Sequence, residues 1–392
     1  MRAIVTSALQ RRFLSALEGI AHGRLRLTTP EGTVHHFGEG GEEADLTISD
    51  WQVLSLLLAR GDVGFGESYI AGHWRTDDHE RLLSLALRNL DRLGRFAEPG
   101  PLSRLRFMLS DRVLRRNSLR GSSRNIRAHY DVGNEFYQLW LDPGMTYSSA
   151  IFAEGDDLER AQQRKNDRIL SRLSPGERIL EIGCGWGGFA ERAAETGRRV
   201  TGLTLSPSQK GYADARLDGR AEIRLQDYRK AGGTYDNIVS VEMIEAVGER
   251  YWPVYFATLK ARLAPGGRAV LQTITVPDVE FSVYRRRSDF IRHHIFPGGM
   301  LPSPSILASE AARAGLVLKG SLAFGEDYAR TCRIWAARMR AEERRIRRLG
   351  HGDPFLRSWQ FYLESCAATF ATGRADVVQV EFAHAEDLPR AA

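Results

Sequence analysis

Cysteine is scarce in this sequence and badly placed for cross-linking: Cys184, Cys332 and Cys366 are odd in number, far apart and without metal-ligand spacing. That argues against a disulfide framework or a structural zinc site, and a reducing compartment fits. Long apolar runs are also missing. The longest, such as Trp51 to Ala59, fall well short of the ~20 residues needed to cross a bilayer, so no spanning helix is expected. No basic, apolar, small-residue leader opens the chain, and the expectation is a cytoplasmic protein. Lysine is rare as well: Lys165, Lys210, Lys230, Lys260 and Lys319 are the only ones among 55 basic residues. The formal charge of +6 therefore rests on arginine and predicts an anionic partner surface, membrane and nucleic acid being equal candidates on charge alone. His35, His36 and His73 match no ligand pattern, so no metal site is expected.

What is present suffices for packed cores: 392 residues, 43% of them apolar, allow two domains of ordinary size. Residues 1–92 read as a small α+β domain, with lipid binding as a candidate role. Leu25–Thr28 and Thr33–Phe37 flank the turn Pro30-Glu31-Gly32 as a hairpin, and Ala44 to Ser49 adds a strand. Trp51 to Arg60 reads as a helix behind Asp50, whereas Gly61 to Tyr69 is too glycine-rich for a regular element. A basic linker follows over 93–127. Its eight arginines between 104 and 127 alternate with Leu105, Phe107, Met108, Leu109, Val113 and Leu114, a pattern that suits either an anionic bilayer or an amphipathic helix packed on the next domain.

Residues 128–392 are organised around Leu180-Glu181-Ile182-Gly183-Cys184-Gly185-Trp186-Gly187-Gly188, a strand that breaks into a glycine loop and opens the helix Phe189 to Thr196. Glycine lets the backbone approach a ligand closely, and the helix N-terminus offers unpaired N–H donors. The loop lacks the Lys-Ser/Thr pair of a phosphate-binding loop. The next strand, Arg199 to Ser206, carries no acid where a dinucleotide or adenosine site usually has one; Thr204, Ser206 and Gln209 offer neutral groups able to bind a ribose diol. Further strands end in Gln226-Asp227-Tyr228 and Glu242-Met243-Ile244-Glu245, and Arg268 to Ile274 follows the turn Ala264-Pro265-Gly266-Gly267. This alternation predicts an α/β fold, a parallel sheet with helices on both faces and its polar tips on one rim. Two polar and aromatic runs, Ala128 to Tyr137 and Asp142 to Ala150, read as ordered functional loops. Beyond 275 the sequence reads as a lid insertion at about 280–302, a basic helix from Ala329 to Leu349 and a largely buried helix from Phe355 to Phe370.

His129-Tyr130-Asp131-Val132-Gly133-Asn134, Tyr147-Ser148, Glu181 to Gly188, Thr204-Leu205-Ser206-x-x-Gln209, Phe296-Pro297-Gly298-Gly299 and Leu301-Pro302 together resemble the cyclopropane-fatty-acyl-phospholipid synthase family. The resemblance runs over nearly the whole chain. It implies a Rossmann-like class I methyltransferase domain that uses S-adenosylmethionine to modify alkenes in the acyl chains of unsaturated phospholipid at the inner membrane surface. The cofactor contacts it implies are Tyr130, Tyr147, Ser148, Glu181, Gly183, Gly185, Gly187, Thr204, Ser206, Gln209, Asp227 and Tyr228. Glu245 and Tyr328 match the family's active-site glutamate and tyrosine, which in the family surround a bound bicarbonate thought to take the proton. At the two remaining catalytic positions Ser149 stands for the usual cysteine and Gln272 for the usual histidine. Glutamine is neither acid nor base, which puts bicarbonate retention in question. Loss of a proton from the new methyl closes a cyclopropane; a hydride shift before proton loss gives a methylene branch. The resemblance leaves open a homodimer and, for a branched product, a reductase partner. No strand-end Asn-Pro-Pro-Tyr motif occurs, so a nucleic-acid substrate is not expected.

Overall fold

The structure, a computed structural model, describes residues 7–97 and 132–387. Tyr130 and the arginine-rich stretch 104–127 lie outside the described residues. The chain divides into two compact units, and the division is not the sequential one anticipated. Residues 286–295 and 332–374 group with the described residues up to 97, while 132–285, 296–331 and 375–387 form the second unit. The insertion expected at about 280–302 is thereby shared between the two.

In the first unit, strands β1 (Arg24–Thr28), β2 (Val34–Phe37), β3 (Glu43–Ile48) and β4 (Trp74–Arg75) form a sheet in the order β2-β1-β3-β4. The hairpin β1–β2 is antiparallel, as its Pro-Glu-Gly turn predicts, and β3 runs parallel to β1. One expectation is corrected. The glycine-rich run after Gly61 is a helix, Asp62–Ile70. Its glycines serve packing: a Cβ on Gly64 would sit 2.0 Å from the Leu56 carbonyl oxygen, and one on Gly66 would sit 2.4 Å from the Phe290 ring. Close packing here outweighs the ~1 kcal/mol by which glycine disfavours a helix.

The second unit is built on β5 (Arg178–Ile182), β6 (Arg199–Thr204), β7 (Glu222–Leu225), β8 (Tyr235–Val241), β9 (Leu263–Thr275), β10 (Leu316–Ala323) and β11 (Asp376–His384). Their order is β10-β11-β9-β8-β5-β6-β7. From β7 to β9 the neighbours are parallel, whereas β11 is antiparallel to both β9 and β10. The two antiparallel strands are absent from the sequence reading, which took everything beyond 275 as insertion and helices. Alternate side chains of β5 enter different cores: Leu180 and Ile182 join Leu203, Ile238 and Leu271, while Ile179 joins Val200, Val239 and Val270. Both faces of the sheet are therefore covered by apolar packing, each buried aliphatic side chain contributing roughly 1.5–3 kcal/mol. The chain leaves β5 in one direction for β6 and β7, and β8 leads the other way to β9, so the crevice expected of such sheets lies at the tips of β5 and β8.

Candidate active site

At the tip of β5 the backbone turns through three glycines at positive φ: Gly183 (84°), Gly185 (53°) and Gly187 (85°), the last being the residue before helix Gly188–Glu195. A Cβ on Gly183 would meet Met243 at 2.8 Å, and one on Gly185 would project into open space. At Gly185 the loop thus presents bare backbone, while a Cβ on Gly187 would meet Ala213 at 3.2 Å. At the root of the loop Glu181 is buried, its Oε2 has no hydrogen-bond partner among the described residues, and burial pushes its pKa up to about 8. An unsatisfied buried carboxylate oxygen is a place for a cation or donor from outside the chain.

The tip of β6 supplies the neutral groups expected. Thr204 donates its hydroxyl to Gln209 Oε1 at 2.9 Å, which leaves the Gln209 amide nitrogen without a protein partner among the described residues. Ser206 is spent on capping: its side chain accepts from the Gln209 N–H and closes the N-terminus of helix Pro207–Leu217. Asn134 ties this turn to the glycine loop, accepting from Trp186 Nε1 at 2.8 Å and reaching Ser208. Tyr147 packs its ring beside Tyr137 and Trp140, centroids 5.6 and 5.5 Å away. Asp227 is held by a fork from Arg229, Nε to Oδ1 at 2.8 Å and Nη2 to Oδ2 at 2.6 Å. Tyr228 belongs to the core: its ring stacks edge-on against Tyr255 and its hydroxyl is buried without a hydrogen-bond partner among the described residues.

The tip of β8 holds a residue to which the sequence assigned no role. Glu242 has φ of 48°, a left-handed conformation costly for a side-chain-bearing residue. Its Oε1 accepts the Ser149 N–H at 2.8 Å and the Gln272 amide at 2.8 Å; its Oε2 accepts the Tyr328 hydroxyl at 2.5 Å. Burial raises the Glu242 pKa, while the Tyr328, Gln272 and Ser149 donors and the charge of Lys165 pull it back. Lys165 is buried, donates to Ser148 Oγ at 2.8 Å and has its own pKa lowered to about 8 by desolvation, against the fields of Glu242, Asp142 and Glu181. Glu245 sits apart from these donors. Its Oε1 accepts from Thr273 Oγ1 at 2.9 Å and the Ile274 N–H at 2.6 Å, its Oε2 is buried and unpartnered among the described residues, and burial with the nearby Glu242 charge raises its pKa to about 8.

The structure therefore gathers Ser149, Gln272 and Tyr328 around Glu242, with Glu245 beside them, and turns the Ser149 hydroxyl away onto the Ala150 carbonyl at 3.0 Å. Sequence reasoning missed Glu242 and Lys165. A signal for Lys165 existed: Leu158, Ala161, Gln162, Lys165, Asn166 and Ile169 form the buried stripe of helix Leu158–Ser171, so a lysine lay on its apolar face.

A family model described as mycolic acid cyclopropane synthetase matches residues 117–380. Tuberculostearic acid methyltransferase UfaA1 of Mycobacterium tuberculosis is 36% identical, over 96% of this chain and 91% of that protein. Cyclopropane-fatty-acyl-phospholipid synthase of Escherichia coli is 33% identical, over 88% of each. Mycolic acid cyclopropane synthase CmaA1, solved complexed with SAH and CTAB, is 29% identical with a TM-score of 0.61, over 66% of this chain and 97% of that one.

Proposed function

The chain belongs to the mycolic acid cyclopropane synthetase family of S-adenosylmethionine-dependent methyltransferases, and on that premise we propose that it adds a methylene carbon to the double bond of an unsaturated phospholipid acyl chain, giving a cyclopropane. The observation that carries this reading is the adjacency of two features: the glycine loop with its unsatisfied Glu181, and the Glu242 pocket, joined where Met243 packs against Gly183. The residues fit the cofactor. Glu181 Oε2 suits a donor such as the cofactor's amino group, whose positive charge would favour the ionised carboxyl; the loop suits close approach, and the Gln209 amide, unpartnered among the described residues, suits a ribose hydroxyl.

When bound, the cofactor supplies an electrophilic methyl on a positively charged sulfur. An alkene is a weak nucleophile, so what the chain contributes is placement: holding both reactants in line recovers a large part of the barrier. Positive charge then develops on the acyl chain, and a preorganised anion at the tip of β8 stabilises it. Glu242 is that anion here, with Tyr328 fixing its orientation.

Incubating the protein with S-adenosylmethionine and vesicles of unsaturated phospholipid, then analysing released fatty acids by mass spectrometry and proton NMR, tests the proposal. Ring protons with one added carbon support it; no added carbon rejects it. The relative named as a tuberculostearic acid methyltransferase, which matches over more of the chain, favours a second reading in which the product is methyl- or methylene-branched. Vinylidene or branch-methyl signals in the same spectra select it. No helix among the described residues is long and apolar enough to cross a membrane. Action at an anionic cytoplasmic membrane surface predicts vesicle binding that weakens with salt. Light scattering tests the homodimer, and product saturation on adding a reductase tests that partner.

A further inference from the structure

The donors at three of the catalytic positions that the family resemblance gives do not face open space in this chain. They end on Glu242: the Ser149 N–H and Gln272 amide on one oxygen, the Tyr328 hydroxyl on the other. Bicarbonate presents the same planar O–C–O group and negative charge as a carboxylate, and would need these same donors. Like charges at such separation disfavour each other strongly. The pocket therefore does not fit bicarbonate, because a side chain of matching shape and charge already satisfies it.

We propose that Glu242 is a built-in replacement for that diffusible anion and is the acceptor of the proton released by the alkylated acyl chain. The inference rests on the function proposed above. In the step itself a C–H bond of the transferred methyl breaks, either directly, with the cation on the neighbouring chain carbon, or after a hydride shift has moved the cation to the carbon that bears the methyl. The electron pair of that bond closes the ring bond, or the π bond of a branched product, and the proton bonds to a Glu242 oxygen before passing to solvent. Among the described residues Oε2 accepts only the Tyr328 hydroxyl, and it keeps a lone pair for that proton.

Three features of the chain hold Glu242 in this role. Its backbone at φ 48° is a conformation that persists only where the surroundings over-determine it, and its N–H is fixed on the Gln272 carbonyl at 2.7 Å. Gln272 is oriented in turn: its own Oε1 accepts from Gln379 at 3.0 Å, and the Gln379 oxygen accepts from Arg168, so the Gln272 NH₂ is left to point at Glu242. The neighbouring carboxyl, Glu245, has its pKa raised to about 8 by burial and by the Glu242 charge, and so is largely protonated near neutral pH and less available as base.

Two readouts test this. The first is binding: titrating ¹³C-labelled bicarbonate into the wild-type protein in the presence of cofactor product gives no bound signal, while Glu242→Gly, whose new residue suits the positive φ, opens the pocket and binds it. The second is turnover on unsaturated vesicles in carbonate-free buffer. Wild-type turnover is unchanged by added bicarbonate; Glu242→Gly loses at least about 100-fold and recovers part of it when bicarbonate is supplied. Bicarbonate bound by the wild type, wild-type turnover that collapses without it, or a Glu242→Gly protein as active as wild type would each overturn the proposal. If no lipid product forms under any condition the function proposed above fails, and the titration still decides what fills the pocket.

Discussion

Two halves of the same rim are built in different ways. At the tips of β5 and β6 the receiving surface is backbone: Gly183, Gly185 and Gly187 at positive φ, with a helix N-terminus behind them and a capped turn beside them. At the tip of β8 it is side chain: a carboxylate held by donors from residues 149, 272 and 328, which lie 93, 30 and 86 positions away in the chain. The first half fits the S-adenosylmethionine that the family uses. The second fixes where a charge and a proton acceptor stand, and there a few substitutions change the chemistry without disturbing the cradle.

If the halves are separable, Glu242→Gln breaks one and spares the other. Turnover should fall about 10²- to 10⁴-fold, the range for losing a positioned proton acceptor, while calorimetric affinity for S-adenosylmethionine stays near wild type. Equal loss of both would mean that the two halves are one unit. Gly183→Ala makes the reverse cut. Its Cβ meets Met243 at 2.8 Å in a backbone with φ of 84°, a conformation costing about 1–2 kcal/mol for any other residue. Cofactor affinity should drop roughly tenfold and the melting temperature by a few degrees, with lipid KM unchanged. Wild-type affinity in this variant would remove the close-approach argument for the loop.

This contrast also explains what could be read in advance. A glycine loop and a Pro-Glu-Gly hairpin are local statements, because φ and turn chemistry are decided within a few residues. The parallel strands announced themselves as short apolar runs, and the family resemblance supplied Glu245, Tyr328, Ser149 and Gln272. Glu242 has no local signature. It is one more polar residue at a strand tip until β9, the loop through Ser149 and the helix starting at Gly325 converge on it. Tyr228, matched to the family as a cofactor contact, lies with its ring in the core. β10 and β11 lie outside the parallel strand–helix alternation and pair antiparallel, so the pattern that announced the other strands does not extend to them.

Tyr328→Phe sharpens the comparison with a smaller effect. The Tyr328 hydroxyl stabilises the ionised form of Glu242, so removing it raises the Glu242 pKa. A hydrogen bond to a charged group contributes about 1.5–3 kcal/mol, which corresponds to a shift of roughly one unit or more. The acid limb of the turnover profile should move to higher pH, with activity recovering toward wild type in alkaline buffer. A uniform loss at every pH would assign Tyr328 to substrate packing instead.

The smallest effect separates Glu245 from Glu242, two carboxyls three residues apart. Glu245 has a folded pKa of about 8 against an ordinary 4.5. Below pH 4.5 it is protonated in both states; between 4.5 and 8 the unfolded chain gives up the proton and the folded chain keeps it, so its contribution to stability declines as pH rises and is gone above 8. Lys165, lowered to about 8 from 10.5, acts with the opposite sign at higher pH, adding stability from 8 upward. Glu245→Gln keeps an oxygen to accept from Thr273 and the Ile274 N–H and cannot ionise. Its melting temperature should therefore fall less than wild type between pH 5 and 8, with turnover at neutral pH only modestly reduced, because the residue it replaces was already neutral. Glu181, also raised to about 8, shares the remaining slope with Asp62, raised to about 7, and Glu181→Gln should remove part of it. A slope unchanged by Glu245→Gln would mean that Glu245 is ionised in the fold. Glu242 and Glu245 would then have to share charge across one pocket, and the assignment of the proton to Glu242 would lose its basis.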